Sequence, residues 1–328
     1  MSEISYREAL RRALREEMRR DDSVVVFGED VAEHGGVFAV TDGLLGEFGP
    51  ERIFDTPISE SAIAGAGVGA SMLGTRAVVE IMYADFTSIA MDAIVNHAAK
   101  VSYMTNGEVS APVVFRLVYG ATPLEGSHHS QSVESWIANV PGLTIVMPST
   151  PYDAKGLLKA AIRANNPVVF LEHKQLYGVK GEVPDEEFVI PIGLADVKRK
   201  GDDVTVVATG LMVGRALSAA DALAKEAVSV EVLDLRSINP LDEEAILASV
   251  RKTGRLVIVH EAPVFGGFGG EVAALVAEKA LGYLDAPVLR VGAPWTPVPF
   301  GPVMVKEYLP NEETITKAIR STLGAVLA

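Results

Sequence analysis

Short, continuous apolar runs alternate with helix-like segments along this chain, and that alternation limits its fold more than any other feature. Val24-Val25-Val26-Phe27 and the runs at 77–82, 112–118, 143–147 and 168–171 read as strands rich in Val, Ile and Leu. Helical periodicity separates them at 62–73, 87–104 and 152–164. An earlier helix starts at Ser5, with Glu8 three residues on as a capping box. Strands without a polar face are buried on both sides. Parallel strands of that kind need helical crossovers, so the pattern predicts a doubly wound α/β domain. The alternation lapses over 172–193, a polar stretch bearing Gly and Pro that reads as a linker. A second series follows, with strands at 204–208, 228–233, 256–259 and 288–291 and helices at 212–226, 242–251 and 270–281. Two doubly wound domains are expected, 1–190 and 191–328, in line with a length of 328 residues.

Composition removes several functions. The chain has no Cys, which excludes disulfides, thiolate catalysis, iron–sulfur clusters and Cys-based zinc sites. A formal charge of −14 argues against nucleic acid as a partner. The opening Met1-Ser2-Glu3-Ile4 runs into charged sequence without the apolar core of a signal peptide, and no uncharged run reaches membrane-spanning length. A cytoplasmic location without membrane contact is expected. Arg7, Arg11, Arg12, Arg15, Arg19 and Arg20 are interleaved with Glu8, Glu16 and Glu17, which reads as a solvated helix face.

Candidate chemistry gathers at several places. Asp55-Thr56-Pro57-Ile58-Ser59-Glu60-Ser61 sets Glu60 after a Pro-restricted turn, at the head of a Gly/Ala-rich helix. A carboxylate held there is desolvated, which raises its pKa toward proton sharing. The plainer reading makes Ser59 or Ser61 a helix cap, with Glu60 only favouring the positive helix end. Gly65-Ala66-Gly67-Val68-Gly69-Ala70 loosely matches a dinucleotide fingerprint. The residues before it look like helix start rather than strand, so close helix packing explains it better. Gly266-Gly267-Phe268-Gly269-Gly270 reads as a flexible loop capping a helix. His128 and His129 lie in the loop after strand 112–118, where open parallel sheets place their ligands, but adjacent His side chains do not readily chelate one metal. Phe86 and Tyr103 bracket the helix 87–104.

Several further pieces stand in order with these. They are Gly28-Glu29-Asp30-Val31, Asp85-Phe86, Tyr103-Met104, His129-Ser130-Gln131, the run 148–157 beginning Pro148-Ser149-Thr150-Pro151, Val232-Leu233-Asp234-Leu235-Arg236, and Thr296-Pro297-Val298-Pro299-Phe300. Together they resemble the beta subunit of the thiamine-diphosphate-dependent decarboxylating component of the pyruvate, acetoin and branched-chain 2-oxo acid dehydrogenase complexes. The resemblance covers nearly the whole chain. It implies a transketolase-like pyrimidine-binding domain followed by a transketolase C-terminal domain.

By the same resemblance, Glu60 hydrogen-bonds the pyrimidine N1′ and favours the imino tautomer that takes the proton from thiazolium C2. Glu29, Ile58, Phe86 and Tyr103 line the pyrimidine pocket. His129 handles substrate charge and acyl transfer to a lipoyl group, while His128 has no assigned role. The G-D-G motif that holds Mg²⁺ and diphosphate in thiamine enzymes is absent from this sequence. The resemblance therefore implies a partner alpha subunit in an α2β2 heterotetramer, docked on a lipoyl-bearing acyltransferase core. It also raises a structural K⁺ at Val113, Ala161, Ile162, Ala164 and Asn166, with Ala164 standing where relatives often carry Asp. Pyruvate is the expected substrate, ahead of acetoin and branched-chain 2-oxo acids. The alternative from another class is a nicotinamide-dependent dehydrogenase or nucleotide-binding module, resting on Gly65–Ala70 and the fold.

Overall fold

The computed structural model describes residues 1–324 and separates into two compact units. The first comprises Met1–Gly120 and Trp136–Ile192; the second comprises Ala121–Ser135 and the chain from Gly193 onward.

In the first unit the strands are β1 (Ser2–Ser5), β2 (Val24–Gly28), β3 (Ile53–Asp55), β4 (Arg76–Ile81), β5 (Val113–Tyr119), β6 (Thr144–Val146), β7 (Val168–His173) and β8 (Lys180–Val183). Six of them lie in the order β6-β7-β5-β4-β2-β3, every neighbouring pair parallel. All residues of β5 and β7 are buried, as strands covered on both faces must be. The helix Glu60–Met72 packs on β4 at Gly67, where a Cβ would meet Val79 Cγ1 at 2.7 Å. Gly65–Ala70 lies wholly within that helix, so the strand–turn–helix context of a dinucleotide fingerprint is missing. The expected helix 87–104 is present, with a π-helical stretch at Asp92–Ala98 between Thr87–Met91 and Ala99–Met104.

Two expectations are corrected here. The stretch from Glu172 is not simply linker. Glu172 and His173 end the buried strand β7, and β8 pairs antiparallel with β1. Glu172 looked like linker because it is charged, yet its charge is matched inside the sheet. The first helix, Tyr6–Arg20, is not solvated all along its charged side. Glu17 is fully buried and accepts from Arg163 Nε and Nη2 at 2.9 and 2.7 Å. Its start is as expected: Ser5 Oγ caps Glu8 N–H at 3.2 Å.

The second unit holds β9 (Asp196–Arg199), β10 (Val204–Ala208), β11 (Val230–Asp234), β12 (Ser237–Asn239), β13 (Leu256–Pro263) and β14 (Leu289–Ala293). A five-stranded sheet runs β14-β13-β10-β11-β9, parallel except for the edge strand β9. One core packs Val206, Ala216, Val232 and Ile319, and another packs Val207, Leu233, Val250 and Val272. Gly267 and Gly269 are tight-packing positions rather than a flexible loop, since a Cβ on either would strike the buried His260 ring. Among the described residues no helix is long and apolar enough to cross a membrane.

Candidate active site

The carboxyl ends of the parallel strands in the first unit collect charge in a buried setting. Glu29 follows directly on β2, Glu80 lies on β4, Arg116 on β5 and Glu172 on β7. Register places Gly28 beside Glu80 and Glu80 beside Arg116. Arg116 is fully buried and holds Glu172 with both arms, Nε to Oε1 at 2.6 Å and Nη2 to Oε2 at 2.7 Å. Its remaining nitrogen donates to Glu80. Tyr177 donates to Glu172 Oε2 at 2.8 Å. One guanidinium thus faces two carboxylates. Burial pushes the Glu80 carboxyl upward although Arg116 pulls it back, and burial together with Glu172 raises the Tyr177 hydroxyl well above its ordinary value.

Beside this cluster stand Glu29 and Glu60. Glu60 is the first residue of the helix Glu60–Met72 and only 6% exposed. Ser59 occupies the cap position but makes no side-chain capping bond, while Glu60 stands in the first turn, where a carboxylate favours the positive helix end. Asp55 serves the neighbouring turn instead, accepting Ala32 and Glu33 N–H at 2.7 and 3.2 Å. That contact ties down the backbone just beyond Glu29. The Glu29 side chain is 6% exposed, and its Oε1 is buried without a hydrogen-bond partner. Burial first, then the charges of Glu60, Asp30 and Glu80, push its carboxyl upward. A buried acceptor with no donor among the described residues is costly, and a ligand N–H would relieve it. Glu60 is a second buried carboxyl whose charge acts on Glu29, and carboxyls so placed can accept a proton from a ligand nitrogen and return it.

The other expected residues are placed differently. Phe86 is half-buried, with its ring edge-on to Tyr83 at 6.2 Å. Ile58 and Tyr103 are 84% and 90% exposed, so in this chain alone they line no enclosed pocket around the carboxyls. Tyr103 borders a separate surface cavity of 760 Å³ that also includes Asn166. An apolar depression of 420 Å³, lined by Phe27, Phe54, Pro57, Ala62 and Ile63, adjoins the head of the Glu60 helix.

His129 is half-buried and His128 exposed, both in the segment Ala121–Ser135. Contacts assign that segment to the second unit, whereas a single cut after residue 190 leaves it in the first. Its anchors explain the difference: Ala121 N–H donates to Glu261 Oε1 at 2.6 Å, Leu124 N–H to Phe300 O at 3.0 Å and Ser127 Oγ to Val298 O at 2.7 Å.

Of the residues expected to hold K⁺, Ala161, Ile162 and Ala164 have carbonyl oxygens that already accept hydrogen bonds. Arg76 Nη1 donates to Ile162 O at 3.0 Å and Ala164 O at 2.8 Å, and Nη2 donates to Asn165 Oδ1 at 2.8 Å. Ala161 O accepts from Ala164 N–H at 3.2 Å. A guanidinium therefore already stands at this helix end, and Val113 and Asn166 add no carboxylate.

Sequence reading missed Glu80, Arg116, Glu172 and Tyr177. The available signal was a charged residue inside or ending each of three apolar strands, since buried charges on neighbouring parallel strands have to pair.

Known proteins share both domains with this chain. Residues 2–180 match the transketolase pyrimidine-binding domain and residues 193–315 the transketolase C-terminal domain. The chain is 50% identical over 322 residues to the 2-oxoisovalerate dehydrogenase subunit beta of Bacillus subtilis (strain 168), covering 98% of each. It is 47% identical over 322 residues to the pyruvate dehydrogenase E1 component subunit beta-2, mitochondrial, of Oryza sativa subsp. japonica, covering 97% of this chain and 86% of that one. A solved structure described as a split gene transketolase, inactive beta4 tetramer, superposes with a TM-score of 0.80 at 26% identity, over 98% of both chains.

Proposed function

We propose that this chain, which belongs to the family of beta subunits of 2-oxo acid dehydrogenase E1 components, supplies the pyrimidine half of a thiamine diphosphate site. Dependence on thiamine diphosphate follows from that membership. The bound cofactor supplies the electron sink that lets a 2-oxo acid lose CO2. The observation that carries the assignment is the buried pair Glu60 and Glu29, with Glu29 Oε1 left without a donor. Glu60 would hold the proton shared with the pyrimidine ring nitrogen. Glu29 would accept a second ring-borne N–H and help keep the ring in register. Phe86 would set an aromatic edge against the ring, and Ile58 and Tyr103 would close over it in the assembly. His129 would stabilise substrate charge and assist acyl transfer to a lipoyl group.

The sequence lacks the G-D-G run that holds Mg²⁺ and diphosphate. We assign those to an alpha subunit, in an α2β2 assembly that passes its acyl group to a lipoyl-bearing acyltransferase core. No K⁺ enters this reading, because Arg76 occupies the oxygens it would need. Among substrates we place 2-oxoisovalerate ahead of pyruvate, which sequence reasoning put first, with acetoin third. The relative named for 2-oxoisovalerate is 50% identical and the one named for pyruvate 47%.

The test is co-expression with a candidate alpha chain, followed by assay of thiamine-dependent decarboxylation of 2-oxoisovalerate and pyruvate and of thiamine-dependent carbon–carbon cleavage of acetoin. Turnover of at least one by the pair is expected, and none by the pair saturated with thiamine diphosphate and Mg²⁺ would overturn the assignment.

A further inference from the structure

Glu134 and Glu261 belong to no part of the chemistry above, yet both are buried in the second unit. Glu134 is 1% exposed, and its Oε2 has no hydrogen-bond partner. Glu261 lies on β13 and is almost as deeply buried. The two bracket the His129 segment: Glu261 accepts from Ala121 N–H at its start, and Glu134 stands at its end. We propose that Glu261 and Glu134 form a carboxyl clamp that positions the His129-bearing segment, Glu261 by holding Ala121 at its start and Glu134 as the buried carboxyl at its end.

Tyr308 and Arg215 face the clamp from two helices. Tyr308 packs from the helix Pro302–Tyr308. Burial, then Glu261 and Glu134, raise its hydroxyl to about 12, so it stays a neutral donor. Arg215, on the helix Leu211–Ala224, is the cation facing Glu261. Burial lowers its pKa and Glu261 opposes that. Its Nη1 donates to Pro310 O. Among the described residues no cation counters Glu134. Burial raises it to about 7, its own backbone N–H pulls it down, and the Glu261 charge adds to the rise.

The sign follows from these directions. The folded carboxyl of Glu134 holds its proton above the unfolded range, so the folded segment binds more protons than the unfolded one between the unfolded carboxyl range and about pH 7. Stability of the clamp therefore falls as pH rises through that window and levels off above it. Protonated, Glu134 is a neutral neighbour to the Glu261 anion that holds Ala121. Ionised, it places a second buried anion beside the first.

The clamp gives His129 its place, so its functional meaning rests on the role given to His129 above. Amide exchange needs no turnover and separates the two. Hydrogen exchange over 121–135 is measured on the full chain between pH 5.5 and 8.5 and corrected for intrinsic rates. In the native protein, protection of this segment should fall about tenfold across that range, the change that one pKa unit commands. Glu134→Gln keeps shape and burial and should give protection level with pH. Glu261→Gln retains an acceptor for Ala121 N–H and should remain protected at low pH. Glu261→Ala removes the acceptor and should lose protection at every pH. A pH-independent native segment, a Glu134→Gln protein that still follows the native pH curve, or full protection in Glu261→Ala would each overturn the clamp. Intact clamp behaviour with normal acyl transfer in His129→Ala would instead overturn only the role of His129.

Discussion

At the residue scale, the proposed function rests on two buried carboxyls, Glu60 and Glu29. Glu60→Gln keeps the side-chain size and one acceptor at the head of its helix but can no longer exchange a proton. Turnover of the assembled enzyme is expected to fall roughly 10²–10⁴-fold. The melting temperature should barely move, because a single carboxylate at a helix N-terminus contributes about 1 kcal/mol or less. The measurement is hydrogen–deuterium exchange at cofactor C2 and melting temperature on one preparation; normal C2 exchange would remove the proton-sharing role. His129→Ala should impair acyl transfer while leaving cofactor affinity nearly intact, and His128→Ala, at an exposed position, should be milder. Equal losses in the two variants would take the role away from His129.

At the element scale, the parallel sheet of the first unit has a charged seam. Arg116 on β5 neutralises Glu80 on β4 and Glu172 on β7, all within the buried layer. Arg116→Met fills similar volume but strands two buried carboxylates. We expect a loss of about 3–5 kcal/mol, read as a lowered denaturation midpoint. A change within ±0.5 kcal/mol would mean that water, not Arg116, satisfies those carboxylates. The helix Pro151–Arg163 ends on the Arg76 guanidinium, which meets its unpaired carbonyls and suits the negative helix end. Exchanging KCl for NaCl or choline chloride should therefore leave the melting temperature unchanged. Arg76→Ala should cost about 1–3 kcal/mol by leaving those carbonyls unpaired. A rise in melting temperature specific to K⁺ in the native protein would contradict this reading.

At the scale of the whole molecule, the first unit exposes apolar side chains that a lone chain gains nothing by showing. Ile58, Leu73, Tyr103 and Met104 are all largely exposed, near or beyond the ends of the helices that carry the site. Such surface is normally covered by another chain. The purified chain should self-associate in light scattering and recruit an alpha chain, and alone it should show no decarboxylase activity with thiamine diphosphate and Mg²⁺. A strict monomer with and without the alpha chain, or turnover by the single chain, would contradict the assembly.

Much of the fold was legible because period and burial agree: β2, β4, β5, β7, β10 and β13 are mainly apolar runs whose pattern already requires two covered faces. The helix Glu312–Gly324 escaped notice although Asn311 Oδ1 caps Thr314 N–H at 3.0 Å and Ile315 and Ile319 repeat at helical spacing. The short edge strands β1, β3, β8 and β9 were not legible, because backbone pairing rather than apolar pattern makes them strands. The sequence alone determined the class of fold, the position of Glu60 at a helix head and, through ordered motifs, the family. Only the tertiary structure decided which charges meet. Glu29 reaches Glu60, Arg116 reaches Glu80 and Glu172, Arg76 reaches the carbonyls of Ile162 and Ala164, and Glu261 reaches Ala121. Each pair lies far apart along the chain. Burial makes such meetings matter, because a charge withdrawn from water depends on whichever partner the fold brings to it.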